Sequence, residues 1–161
     1  HTAQHALSAV VAQAFGARTV GFHLGADAST IDLDRELTPV QVAEAERQVN
    51  AVVWDDRPIT IRYATDEEAK ALPLRKESVR TGTLRLIEIA SLDLSACGGT
   101  HVPRTGVIGA VLVSAWERFK GGQRLEFLAG ARALSRFQLL RDTTAAAVRR
   151  LSVLPQDLPG A

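Results

Sequence analysis

Apolar residues recur along this chain with two periods, and the switches between the periods mark out its elements. Ala6, Leu7, Val10, Val11 and Phe15 stand at helical spacing, and Gly16 follows as a helix-ending residue. The pattern predicts a helix over residues 1–15 and a strand over 19–24. Residues 29–34 alternate, with Ile31 and Leu33 on one face and Thr30, Asp32 and Asp34 on the other, as in a half-buried strand. Thr38, Pro39 and Gln41 read as an N-cap, a first-turn proline and a capping-box partner, and they open a helix running to about residue 54. Val42, Ala45, Val49, Val52 and Val53 form its apolar stripe.

Further along, the spacing predicts strands over 58–63, 84–90, 107–114 and 124–128, with a short helix over 66–72. Gly121-Gly122 gives the last pair of strands hairpin character. A long helix over 131–151 rich in alanine and arginine ends the pattern, and "LPQDLPGA" follows as a linker. Trp54 and Trp116 both follow apolar runs and are expected at the core or its edge. Mixed helices and mainly antiparallel strands make an α+β fold. The expected division is a domain over residues 1–128 and a helix with linker over 129–161, leading toward a further C-terminal domain.

Composition changes this picture only a little. The chain has 161 residues, 46% of them hydrophobic, enough for one ordinary core. With 19 Lys and Arg against 18 Asp and Glu the net charge is +1, so any basic surface must be local. One cysteine excludes an internal disulfide framework. Neither a signal-peptide pattern nor a membrane-length apolar run occurs, which predicts a cytoplasmic protein. A chain that opens on His1 and contains no methionine is expected to be a fragment.

The scarce residues are not scattered. Three of the four histidines and the lone cysteine fall into "HTAQH" and "CGGTH", two pairs each spaced four apart. His1 and His5 share one helical face, and Cys97 and His101 can converge from a loop that Gly98-Gly99 lets curl. Three imidazoles and a thiolate are a donor set that zinc prefers, so His1, His5, Cys97 and His101 are the predicted metal ligands. A second reading makes Cys97 a nucleophile with His101 or another histidine as base. It leaves the first pair without a task.

"HTAQHALSAV", "FHLGADASTIDLD" and "SLDLSACGGTHVPRTGVIG", in that order, resemble the editing domain of alanyl-tRNA synthetases and of the free-standing AlaX trans-editing proteins. Threonyl-tRNA synthetases share the two metal pairs, but the wording around Cys97 resembles the alanyl group. A glutamine commonly sits in the synthetases where Ala26 aligns, and this departure is more similar to AlaX. The resemblance implies the alanyl/threonyl editing-domain fold of class II synthetases and a zinc cofactor. It further implies hydrolysis of mischarged tRNA(Ala), seryl-tRNA(Ala) first and glycyl-tRNA(Ala) as a further candidate. The implied partner is the tRNA acceptor end, with neither a membrane nor DNA.

Within that reading, Thr30 is the candidate for holding a seryl hydroxyl, and Gln4, between the two helix histidines, is a candidate at the pocket rim. Arg75, Lys76, Arg80 and Arg104, with Arg85 nearby, are the candidates for phosphate contact. Asp32 and Asp34 are expected on a solvent-facing strand edge, and His23 as a partly buried structural residue. A zinc-stabilised tRNA-binding module without turnover uses the same ligands. Hydrolysis separates the two.

Overall fold

The computed structural model describes residues 1–76 and 82–161. It contains the helices α1 (Thr2–Phe15), α2 (Pro39–Trp54), α3 (Asp66–Lys70) and α4 (Ala131–Leu151). Its strands are β1 (Thr19–Leu24), β2 (Ser29–Leu33), β3 (Ile59–Ala64), β4 (Leu84–Ile89), β5 (Asp93–Ala96), β6 (Val111–Phe119) and β7 (Gly122–Ala129). The strands form two antiparallel sheets, one of order β1-β2-β7-β6 and one of order β3-β4-β5. The α+β fold is therefore the one that the patterning indicates.

The core assembles where the two periods meet. Leu7, Val10 and Val11 of α1 and Val42, Val49 and Val53 of α2 bury their stripes against Ile31, Leu33, Leu125 and Phe127 of the larger sheet, and Ile89 of β4 joins the same cluster. Thr38 caps α2 as its sequence suggests: its hydroxyl accepts from Gln41 N, and Gln41 Oε1 accepts from Thr38 N. At the other end of the chain, Lys120 and Gly121 both take positive φ, 49° and 80°, which gives the β6–β7 hairpin a turn whose twist suits its strands.

Two side-chain amides stand in for missing strand partners. Asn50 Nδ2 donates to the Val111 carbonyl at 2.6 Å while its Oδ1 accepts from Val111 N at 2.9 Å, which ties α2 to the start of β6. Gln123 does the same for the backbone of Leu37. Both amides are buried.

Several expectations are corrected. The strand read over 107–114 begins only at Val111, because Thr105–Ile108 winds as a 3-10 turn and Gly109, at φ 83°, breaks the chain before β6. β5 was not expected; it is four residues long and turns polar side chains inward. Trp54 is 74% exposed and Trp116 44%, so neither belongs to the core. His23 is exposed as well. Leu154 precedes a 3-10 turn at Pro155–Gly160 that folds back on α4. No helix among the described residues is long and apolar enough to cross a membrane.

Replacing Asn50 by alanine strands both backbone groups of Val111 in the core. Each buried unpaired group costs about 1–3 kcal/mol, so Asn50→Ala should lower unfolding stability by about 2–4 kcal/mol in urea titrations.

Candidate metal centre

The N-terminal end of α1 and the loop after β5 meet, and they bring the two spaced pairs together. One donor atom from each of His1, His5, Cys97 and His101 lies within 4.8 Å of every other. The three imidazole centroids are 4.7 to 5.2 Å apart, and Cys97 Sγ stands 3.4 Å from His1 Nε2. His101 Nε2 is buried and has no hydrogen-bond partner. A buried polar atom left bare is costly, and here it points to a missing ligand. Three imidazoles and a thiol around that atom are a set that could hold one metal ion.

Three of the four donors, His5, His101 and Cys97, are held from behind. His5 is buried, and its Nδ1–H donates to Asp93 Oδ2 at 2.9 Å, which leaves Nε2 for a metal. The Asp93 side chain has no solvent exposure and also takes Arg75 Nε at 2.7 Å and Ser95 Oγ at 2.9 Å. Burial pushes its carboxyl pKa up, yet the hydrogen bonds from His5 and Arg75 outweigh burial and hold it below the usual carboxylate value. The Thr2 hydroxyl lies 3.2 Å from His101 Nδ1 and accepts from Val102 N. Cys97 Sγ accepts from Gly99 N at 3.3 Å, and Arg85 Nη1 donates to the carbonyls of Cys97 and Gly99.

Gly99 has a reason other than the curl expected of it. Neither Gly98 nor Gly99 takes a positive φ, but a Cβ on Gly99 would overlap the His1 ring. The close approach of backbone to imidazole is what needs a glycine.

The centre opens on a cavity of about 910 Å³ lined by Gln4, Phe22, Lys76, Arg85 and three of the four candidate ligands, His1, His5 and Cys97. Gln4 Nε2 donates to Ser8 Oγ, itself fixed by Thr19 Oγ1, while Gln4 Oε1 is buried without a partner. Thr30 is not brought to this site. It alternates with Ile31 and Leu33, which fill the core on the α1 side, so its side chain belongs to the opposite sheet face and lines no part of the cavity. Asp32 and Asp34 share that face, where they pair with Arg124 and Arg18.

Of the basic residues singled out, Lys76 is exposed on the cavity wall. Arg75 also lines the cavity, and there it pairs with Asp93 at 2.7 Å, which makes it part of the support behind His5. Arg104 pairs with Asp56 at 2.6 Å near the start of the 3-10 turn and is absent from the cavity lining. Arg80 lies outside the described residues.

A family profile described as the threonyl and alanyl tRNA synthetase second additional domain matches residues 84–126, which include Cys97 and His101. An alanine–tRNA ligase of Halorubrum lacusprofundi is 38% identical over 168 residues, 99% of this chain. The alanyl-tRNA editing protein AlaX-L of Pyrococcus horikoshii is 35% identical over 146 residues, 88% of this chain. The chain belongs to the alanyl-tRNA synthetase editing-domain family. It spans 18% of the length of that ligase and 36% of AlaX-L. Ligase and free-standing editing protein thus both align with this editing domain over most of its length.

Asp93 and Ser95 are the residues that sequence reasoning missed. In "DLSAC" polar Asp93, Ser95 and Cys97 alternate with apolar Leu94 and Ala96, which is the period of one strand face and the signal that could have found them.

Outer partners of metal-bound imidazoles govern affinity by about 10- to 100-fold. Asp93→Ala should weaken metal binding by that factor in a competition titration against a chelating dye. A second expectation concerns the metal-free chain. Burial first, and then the charge of His5, lower the His101 pKa from 6.5 to about 4. Between those values the unfolded state binds more protons, so His101 contributes its stability above pH 6.5 and loses it as pH falls toward 4. His101→Gln should flatten that part of the pH–stability curve in urea unfolding.

Proposed function

We propose that this chain is a zinc-dependent deacylase that hydrolyses the aminoacyl ester of mischarged tRNA(Ala), with seryl-tRNA(Ala) as its main substrate and glycyl-tRNA(Ala) as a second. The observation that carries the reading is the buried, unpartnered His101 Nε2 within a cluster of four converging donors, beside a cavity large enough for an aminoacylated ribose. Similarity to a protein named for alanyl-tRNA editing supports the substrate class. Three nitrogens and a thiolate favour zinc among the common metals. Bound there, zinc would supply Lewis-acid polarisation and a lowered water pKa.

The chain's own groups then divide the work. Asp93 and Thr2 fix the two imidazoles whose Nδ1 atoms they hold. Gln4 lines the cavity with its amide nitrogen locked on Ser8 and its Oε1 buried without a partner, and that oxygen is assigned the role of acceptor for a seryl hydroxyl or the attacking water. Hydrolysis breaks the ester C–O bond to the ribose, places the oxygen of water on the released amino acid and returns a proton to the ribose hydroxyl. Gln4 therefore takes over the discriminating role that Thr30, on the far face of the sheet, is not placed to perform.

A second reading has one observation behind it. Four protein donors already fill a tetrahedron, as they would in a metal-stabilised tRNA-binding module that does not turn over. A nucleophilic Cys97 beside His1 accounts for two of the four donors and leaves the other two idle.

The test is hydrolysis of seryl-, glycyl- and alanyl-tRNA(Ala) by zinc-loaded and chelator-treated protein. Serine release exceeding alanine release and abolished by the chelator or by Cys97→Ala supports the deacylase. Absence of release from zinc-replete protein overturns it in favour of the binding module, and release that survives the chelator but not thiol alkylation favours the cysteine. Gln4→Leu should retain zinc and reduce serine release about 10- to 100-fold, the effect of losing one hydrogen bond to a buried polar group.

A further inference from the structure

β1 is an edge strand of the larger sheet, yet it carries an apolar row to the surface: Val20 is 61% exposed, Phe22 54% and Leu24 38%. A bare apolar edge invites association, and folded proteins commonly cover or charge such edges. This row does not stand apart from the rest of the molecule. Val20 and Phe22 form one wall of the cavity at the metal centre, and the Phe22 ring centroid is 6.0 Å from that of His1.

The rest of that cavity says what kind of molecule the wall suits. Arg75, Lys76 and Arg85 line it, and among the described residues no carboxylate does. Arg75 is neutralised by Asp93, but Arg85 spends its donors on two uncharged carbonyls and keeps its full positive field. Arg132, bonded to the carbonyls of Gly25 and Ala26, adds a further cation at the end of β1. An aromatic face beside a cationic channel is the combination that binds single-stranded nucleic acid, with bases stacking on the ring and phosphates drawn to the charge.

We propose that the exposed face of Phe22, flanked by Val20, is the stacking platform for the base of the 3′-terminal nucleotide of an RNA, with Lys76 and Arg85 facing its phosphates. The proposal rests on the deacylase reading for the identity of the RNA, and it adds the residue that positions the terminal nucleoside. A ligand base on Phe22 sits one ribose away from a 3′-linked ester directed at His1, His5, Cys97 and His101. Recognition by stacking is tolerant of base identity, so selectivity for the amino acid is left to the cavity floor around Gln4.

The test measures binding of the ribotrinucleotide CCA, and of the same trinucleotide with its 3′ base removed, to the zinc-loaded chain and to Phe22→Leu and Phe22→Trp. Loss of one stacked base corresponds to about 5- to 150-fold in affinity. Phe22→Leu should weaken CCA by a factor in that range with zinc content unchanged, Phe22→Trp should restore it, and the abasic ligand should bind both wild type and Phe22→Leu equally weakly. Phe22→Leu should also raise KM for seryl-tRNA(Ala) more than it lowers kcat. Unchanged CCA affinity in Phe22→Leu, or an equal loss with the abasic ligand, overturns the platform. A concentration-dependent dimer that Phe22→Leu makes monomeric also overturns it, and assigns the row to a second copy of the chain. If the stacking pattern holds while no ester is hydrolysed, the platform stands and the deacylase reading falls; hydrolysis with KM indifferent to Phe22 has the reverse meaning.

Discussion

Asp93 is a carboxylate without solvent contact, and the geometry of the metal centre depends on it. It takes hydrogen bonds from His5, Arg75 and Ser95, so one buried group ties the first helix, the loop before β4 and the strand β5 together. An unpaired carboxylate at this depth would be driven to protonate, and the three partners are what allow it to remain charged. The charge in turn keeps the Nδ1 proton of His5 in place and directs its other nitrogen at the cluster. Remove the carboxylate and His5 loses its orientation while Arg75 loses its only acidic partner among the described residues.

The scaffold explains why the two spaced pairs can meet. α1 is anchored along its length by Leu7, Val10 and Val11 in the main core, so His1 and His5 at its first turns are carried on a rigid element. Cys97 and His101 ride on a loop whose backbone is pinned by Arg85 and by the hydroxyl of Thr2. One half of the donor set is thus positioned by packing and the other by hydrogen bonds. Gly99 is the point of contact between them, since any larger residue would push the loop off the His1 ring.

Much of this was legible in the amino-acid sequence, and the parts that were not have physical causes. The extent of β1 and α4, the Thr38 capping box and the four-donor set all arise from local spacing, which a sequence displays directly. The inward face of β5 escaped notice because Asp93 and Ser95 are polar, and period-2 reading looks for apolar residues on the buried side. The pairing of Arg75 is hidden for a different reason, since its partner Asp93 lies 18 residues away in the sequence. Thr30 is a candidate only within the family resemblance, and the alternation with Ile31 and Leu33 that the sequence itself displays turns it away from the cavity. Trp54 and Trp116 show the limit of hydrophobicity as a guide, because both end apolar runs and both project outward.

Net charge is a poor guide to this surface. A chain at +1 should show no preference for anions, yet its charges are segregated. Asp32, Asp34, Asp55, Asp56, Glu36 and Glu44 each pair with an arginine away from the cavity, which consumes acid and base in equal number. Exposed pairs of this kind add little stability, but pairing them off leaves Lys76, Arg85 and Arg132 as the local field around an opening that no carboxylate lines among the described residues. The positive field therefore lies at the opening that His1, His5, Cys97, Gln4 and Phe22 line. The electrostatic argument for RNA is in this way independent of the donor set. The donor set and the positive field at the opening come from different residues of the same cavity.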